Sequence, residues 1–222
     1  MISGGVSRGP YATCNIGLHT GDDIAAVQAN RCILRRFLPA EPKWLAQKHG
    51  TVVVDADDIE HVPDADGAVA RRPGTVCAIM VADCVPVFFA DRAGTVVAAA
   101  HAGWRGLASG VLQRTIRHMD VTPRDILAYL GPGIGPAAFE VGKDVRDAFV
   151  SQDEAARAAF VAIAEGKWLA DLFSLVRRTL ASAGVMAVYG GEHCTVSDPA
   201  RFYSYRRERT TGRMAALIWL DT

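Results

Sequence analysis

The sequence has no charge excess, no long apolar run and no cysteine-pair motif, and each absence removes a class of function. Its 24 Lys and Arg balance 24 Asp and Glu. That removes the simplest case for nucleic acid or an anionic membrane as partner, since both need a basic face. The one candidate patch, Arg206, Arg207 and Arg209, is interrupted by Glu208. The longest apolar runs, Val76 to Ala82 and Val96 to Ala100, fall far short of the ~18 residues of a membrane span. Met1 to Gly5 shows no basic segment followed by an apolar one, so no secretory signal is expected. The five cysteines (14, 32, 77, 84 and 194) are an odd number, widely scattered and without a CxxC. This argues against a disulfide framework and for a reducing, cytoplasmic setting. No repeat or low-complexity tract appears. Half of the 222 residues are apolar, and one domain of this size buries roughly 70% of its unfolded surface, so a single domain over 1–222 is expected.

Local patterns predict mixed elements. Residues 11–18 look extended. Asp22 or Asp23 can cap a helix running to about Leu38, with Ile24, Val27, Ile33, Leu34 and Phe37 on its apolar side. Trp44 to Lys48 and Thr51 to Asp55 read as strands around His49-Gly50. The short β-branched segments 75–82, 85–91 and 95–101 suit adjacent strands at the centre of one sheet. Gly106 to Met119 reads as a helix, followed by a strand at 126–130 and a Gly/Pro loop at 131–136. Helices are predicted near 143–150, 153–165 and 169–183, the second lying outside the fold, and strands at 185–190 and 214–220. Without a regular βαβ rhythm, the pattern favours α+β with a mixed sheet over a doubly wound parallel sheet.

Three strand ends carry reactive side chains: His49, Cys84 and His101. Strand-to-loop positions are anchored yet reach solvent. Two imidazoles and a thiolate suit a catalytic zinc, with the fourth position open. Spacings of 35 and 17 residues form no local zinc signature. Two other readings stay open: satisfied turn histidines with a buried cysteine, or Cys84 as nucleophile with His101 or His49 as base. Asp83 would raise the neighbouring thiol's pKa and weigh against the last. Among the other histidines, His61 lies in an acidic loop, His118 on a predicted helix and His193 beside Cys194, whereas a glycine-rich turn can expose His19. The Gly103-Trp104-Arg105-Gly106 turn before a helix offers N–H groups and an arginine to an anion. The loop 131–136 reads as a tight turn without ligand. Phe202 to Arg207, then Thr211-Gly212-Arg213, can stack a base and hold an anion, or form an exposed strand and turn.

Taken in order, several motifs resemble one family. They are Asn15-Ile16-Gly17-Leu18-His19-Thr20-Gly21-Asp22, Asn30-Arg31, Gln47-Lys48-His49-Gly50, Asp64-Ala65-Asp66-Gly67, Ala82-Asp83-Cys84-Val85-Pro86-Val87 and Ala100-His101-Ala102-Gly103-Trp104-Arg105-Gly106. Gly131-Pro132 through Phe139-Glu140-Val141-Gly142, Tyr203-Ser204-Tyr205-Arg206-Arg207 and Thr211-Gly212-Arg213 complete the set. The set is similar to the YfiH family, also called laccase-domain or multicopper polyphenol oxidoreductases, over nearly the whole chain. Lys48 stands where the family usually has a small apolar residue. The resemblance implies a layered α/β/β/α sandwich with mixed β-sheets and a metal site of His49, Cys84 and His101, usually zinc, with copper as a substitute. It implies purine-nucleoside chemistry: phosphorolysis of adenosine, inosine and methylthioadenosine, and deamination of adenosine. Two other assignments it brings are copper-dependent polyphenol oxidation and removal of a misincorporated serine from a nucleotide-linked peptidoglycan precursor.

The residues discriminate in part. Mononuclear and trinuclear copper centres together consume on the order of ten histidines; this chain has six, and no His-x-His. Nucleoside chemistry fits better. Arg105 and Arg206 are the expected phosphate contacts and Trp104 and Tyr203 the expected stacking faces. Asp83 is a candidate proton shuttle, and Asn15, which opens the first motif, joins the substrate contacts. The deaminase signature H-x-E…P-C-x-x-C is absent. The expected partners are a purine nucleoside and phosphate.

Overall fold

The computed structural model describes residues 2–221. In chain order its elements are helix α1 (Ile24–Arg35), strands β1 (Val53–Asp55), β2 (Gly67–Ala70), β3 (Cys77–Val81), β4 (Val85–Asp91) and β5 (Val97–Ala102), and helices α2 (Trp104–Ser109) and α3 (Val111–Met119). Then follow β6 (Ile126–Leu130), β7 (Glu140–Gly142), α4 (Lys143–Val150), β8 (Phe160–Ala164), β9 (Lys167–Ala170), α5 (Leu172–Ser182), β10 (Ala187–Gly190) and β11 (Met214–Ile218).

The main sheet has six strands in the order β1-β2-β5-β4-β6-β10. Its edge pairs are parallel and its middle is antiparallel. One face packs on α3 and α5, whose Val111, Leu112, Ile116, Leu175, Val176 and Leu180 are buried in a cluster with Val87, Phe89, Ala128 and Leu130. The other face meets the antiparallel pair β3–β11, through Val97 and Ala99 against Ile79, Val81 and Met214. The outer side of that pair, Ala78 and Met80, is covered by Trp44, Ile16 and Leu34 of α1. The layers are therefore α/β/β/α, as the resemblance implies, and the main sheet is mixed, as the residues predict. With layers on both sides, every residue of β5 is buried, which is why it reads as an unbroken apolar run. A third, antiparallel sheet, β7-β9-β8, joins α4 at one end.

Several predicted elements are corrected. Residues 11–18 form turns after a short 3-10 helix at Gly9–Tyr11, and no strand. Side-chain amides capture the backbone there: Asn30 Oδ1 accepts from Val6 N, Asn30 Nδ2 donates to the Asn15 carbonyl, and Asn15 Oδ1 accepts from Gly17 N. Helix α1 begins after Asp23, whose carboxylate caps Ala25 N, but stops at Arg35. The turn beyond it tightens before Pro39, and Phe37 and Ile24 are exposed. Trp44 to Lys48 is extended without a ladder, because the Gln47 amide brackets Met80, accepting its N–H at 2.7 Å and donating to its carbonyl at 2.9 Å. The three central segments do not share one sheet: β4 and β5 pair in the main sheet, while β3 pairs with β11. The predicted helix 106–119 is two, broken at Gly110, whose φ of +96° is a glycine conformation. Residues 153–165 are a 3-10 helix, Glu154–Ala159, leading into β8. Alanine and charge there mimic a helix, but Val161 and Ile163 favour a strand and Gly166 closes a hairpin onto β9. The last predicted helix starts at Leu172, capped by Asp171, and β2 and β7 were not anticipated.

All five cysteines are free, and among the described residues no helix is long and apolar enough to cross a membrane.

Candidate metal and substrate site

The three side chains converge because the main sheet brings Cys84 and His101 side by side and the Asp66 carboxylate ties the His49 turn to them. His101 is the penultimate residue of β5, in register with Pro86 of β4, so Cys84 sits just beyond the end of the neighbouring strand. On the other side β2 pairs with β5, and Asp66, the residue before β2, accepts His101 N through its carbonyl at 2.7 Å.

Asp66 organises the site. Its buried carboxylate accepts the backbone N–H of Lys48 and His49 at 3.0 Å and of Gly50 at 2.7 Å, and meets His101 Nδ1 at 2.8 Å. Three successive N–H groups around one oxyanion form a nest. It holds His49 at φ +57°, a conformation uncommon outside glycine. One carboxylate thus fixes both histidines and leaves His101 Nε2 free for the site. Burial alone would raise the Asp66 pKa, but the hydrogen bonds from His101, Gly50 and Lys48 hold it below the usual aspartate value. No role was assigned to Asp66 from the sequence. Its signal was the Asp-x-Asp-Gly turn directly before a buried strand. Lys48, the departure from the family pattern, contributes its backbone N–H, and its side chain reaches outward to Asp64.

Cys84 is set by an equally special turn. Asp83 has φ +94°. Its carboxylate accepts from Thr195 Oγ1 and from Arg206 N, both at 2.6 Å, and its carbonyl accepts Ile134 N at 2.7 Å. Asp83 is therefore a buried clamp joining three loops, with each carboxylate oxygen engaged by a loop outside the cluster. The predicted rise of the Cys84 pKa is also reversed. Burial pushes the thiol up, but the charge and hydrogen bonds of His101 and His49 pull it down to about 6.

The ligand atoms of His49, Cys84 and His101 lie within 4.8 Å of one another, with Cys84 Sγ 3.8 Å from His49 Nε2. Gly103 makes room for them: a Cβ there would stand 2.8 Å from His49 Cδ2 and 3.0 Å from Cys84 Sγ. This set can hold a metal ion. The imidazole–carboxylate contact of His101 with Asp66 is the outer support that metal-bound histidines ordinarily have.

The cluster opens on a cavity of about 770 Å³, within the usual range for small-molecule sites. Asp83, Trp104, Arg105 and Arg206 line it as expected, and His19, Phe139, Tyr205 and Arg213 line it as well. Asn15 and Tyr203 do not. Asn15 is fully buried and joins loops through Gly17 N and Arg213 N. Tyr203 is buried, and its hydroxyl donates to the Tyr11 carbonyl. The alternation along Tyr203-Ser204-Tyr205 puts the other tyrosine on the cavity wall. His61, His118 and His193 are exposed and away from it. The anion-ready turn leads into α2, a helix of only six residues.

Comparison with known proteins places the chain in a family. Residues 2–221 match the family described as multi-copper polyphenol oxidoreductase laccase. The chain belongs to this laccase-domain family. It is 53% identical over 220 residues to purine nucleoside phosphorylase PA4543 of Pseudomonas aeruginosa, spanning 99% of this chain and 90% of that one. It is 50% identical over 220 residues to purine nucleoside phosphorylase YfiH of Escherichia coli, spanning 98% and 90%. The crystal structure of Neisseria meningitidis protein NMB0706 superposes with a TM-score of 0.95 at 54% identity, over 99% of this chain and 91% of that one. In this member of the family the donor set does not match the multi-copper description. Two of the six histidines and one cysteine meet in the only His/Cys/Asp/Glu cluster of metal-site geometry among the described residues, too few donors for a trinuclear centre beside a mononuclear one.

Proposed function

We propose that the chain is a zinc-dependent purine nucleoside phosphorylase acting on adenosine, inosine and methylthioadenosine, and that the same site deaminates adenosine. The observation that carries this reading is one cavity in which a His-Cys-His cluster stands beside arginines on an otherwise largely apolar wall. The names of the relatives support it. His49, Cys84 and His101 would hold the zinc, whose preference for nitrogen and sulfur donors they match. When bound, the ion supplies Lewis acidity and an activated oxygen nucleophile. The apolar wall, with Met80, Ile134 and Phe139, excludes water and takes the flat face of a purine. The arginines orient phosphate. In phosphorolysis a phosphate oxygen bonds to ribose C1′ as the C1′–N9 bond breaks, and the base leaves with the bonding pair and takes up a proton.

Adenosine and phosphate are expected to give adenine and ribose 1-phosphate in equal amounts, and adenosine alone to give inosine. If phosphate releases no base from adenosine, inosine or methylthioadenosine, the phosphorylase reading fails.

The lowered Cys84 pKa favours one second reading, a metal-free cysteine hydrolase, and alkylation separates the two. Iodoacetamide is expected to modify Cys84 of chelator-treated protein with a rate that is half-maximal near pH 6. An unperturbed thiol would titrate at about 8.5. Added zinc is expected to suppress the reaction, and a rate indifferent to zinc and chelator favours the hydrolase.

A further inference from the structure

The cavity has the charge imbalance that the chain as a whole lacks. Its wall includes four cations, Lys48, Arg105, Arg206 and Arg213, against a single carboxylate, Asp83, beside the imidazoles of His19, His49 and His101. Both oxygens of Asp83 are already engaged, by Thr195 Oγ1 and Arg206 N. Three of the cations are also committed. Lys48 pairs with Asp64 at 3.4 Å, Arg206 donates to the Glu140 carbonyl at 2.8 Å, and the exposed Arg105 lies over the Trp104 ring.

Arg213 differs. It is half-buried, its guanidinium lies 5.9 Å from the Tyr205 ring centre, and its Nη1 bonds only its own loop, at the Thr211 and Gly212 carbonyls. Among the described residues its Nε and Nη2 have no acceptor and no carboxylate comes within ion-pair distance. Neither nitrogen is among the buried donors left without a partner, so both still touch solvent and stand open to a ligand. Its stem is fixed in place. Arg213 N donates to Asn15 Oδ1 at 2.8 Å, and the side chain lies over Gly17, where a Cβ would stand 2.9 Å from Arg213 Cγ. The same Gly17 turn carries His19. Partial burial and then the Arg213 charge hold its imidazole below the usual value, which puts the two groups within electrostatic reach of each other. Burial lowers the Arg213 pKa, and the nearby charges of Cys84 and Asp83 oppose that.

We propose that Arg213, flanked by His19, forms a subsite for a phosphate oxyanion in this cavity. The fork of free N–H groups matches two oxygens of a phosphate, a geometry lysine does not provide. The subsite replaces Arg105 and Arg206 as the main phosphate contact, and its role as co-substrate site rests on the phosphorylase reading. The chemistry is shared by inorganic phosphate and by a nucleoside 5′-monophosphate.

The test compares wild type with Arg213→Met and Arg213→Lys, each checked for an unchanged thermal midpoint. With adenosine as substrate, Arg213→Met is expected to raise the KM for phosphate at least tenfold while the KM for adenosine changes less than twofold. Arg213→Lys is expected to recover part of the loss. Unchanged phosphate KM in Arg213→Met overturns the subsite and leaves phosphorolysis standing. Should wild type fail to consume phosphate at all, the phosphorylase reading falls, and calorimetric titration then decides the subsite alone. Binding of inorganic phosphate or of adenosine 5′-monophosphate that is lost in Arg213→Met supports it, and the ligand that binds identifies the source. Equal binding by both proteins, or none by wild type, overturns it.

Discussion

Replacing Asp66 with asparagine is expected to destabilise the protein by about 3 kcal/mol and to lower its zinc affinity by about 10- to 100-fold. The carboxylate is 1% exposed and takes four hydrogen bonds, three of them from successive backbone N–H groups. Asparagine keeps the shape but turns an NH2 toward these donors, so part of the nest is left buried and unpaired. Both histidines lose their anchor in one substitution, because His49 depends on the nest and His101 on the imidazole–carboxylate contact. The Asp66 pKa is lowered on folding, so its stabilisation is complete above the ordinary aspartate value of about 3.9. It is lost as acid takes the pH down through the lower folded value. The asparagine variant should therefore lack that acid-sensitive part of the stability profile. Denaturant midpoints from pH 7 down to pH 3, with zinc stoichiometry on the same samples, check both. An Asp66→Asn variant with full zinc and unchanged midpoints rules out this organising role.

Cys84→Ala and His101→Ala are each expected to abolish stoichiometric zinc and to reduce nucleoside turnover by about 10³-fold, equivalent to about 4 kcal/mol of transition-state stabilisation. Cys32→Ala, an exposed position on α1, is expected to keep both. Elemental analysis of the purified proteins reads the first effect and release of adenine from adenosine the second. Zinc that persists in both cluster variants would place the metal elsewhere. Copper in place of zinc would change the metal while leaving the site assignment intact.

Cys84 and His101 stood out in the sequence because each punctuates an apolar strand, a pattern that needs no tertiary information, and His49 stood out beside a segment that reads as a strand but has no ladder. The elements misread were those in which a side chain does the work of a backbone ladder. Gln47 brackets Met80 and so keeps residues 44–48 extended without a strand partner, and Asn15 and Asn30 hold turns where extended chain was expected. Amide side chains in these roles look like ordinary polar residues until their distant partners are known. Residues 153–165 were misread for a different reason. Their alanine content is helical, but hairpin pairing with β9 overrides propensity. Asp83 was visible but assigned the wrong part, because its neighbour in sequence is Cys84 while its hydrogen-bond partners lie 112 and 123 residues away.

By itself the sequence determined the class of the fold, singled out His49, Cys84 and His101 as reactive side chains and, through six histidines, showed the poor fit of a multi-copper site. These depend on local pattern and on counts. Only the tertiary structure decided that the three side chains meet, that Asp66 holds two of them, and that Arg213 stands half-buried without an ion-pair partner among the described residues. Strand order and long-range hydrogen bonds set those facts, and neither has a period or a spacing that can be read along the chain. The balanced charge is the clearest example. Zero overall says nothing of the cavity, where folding gathers four lysine and arginine side chains around one carboxylate that is already engaged.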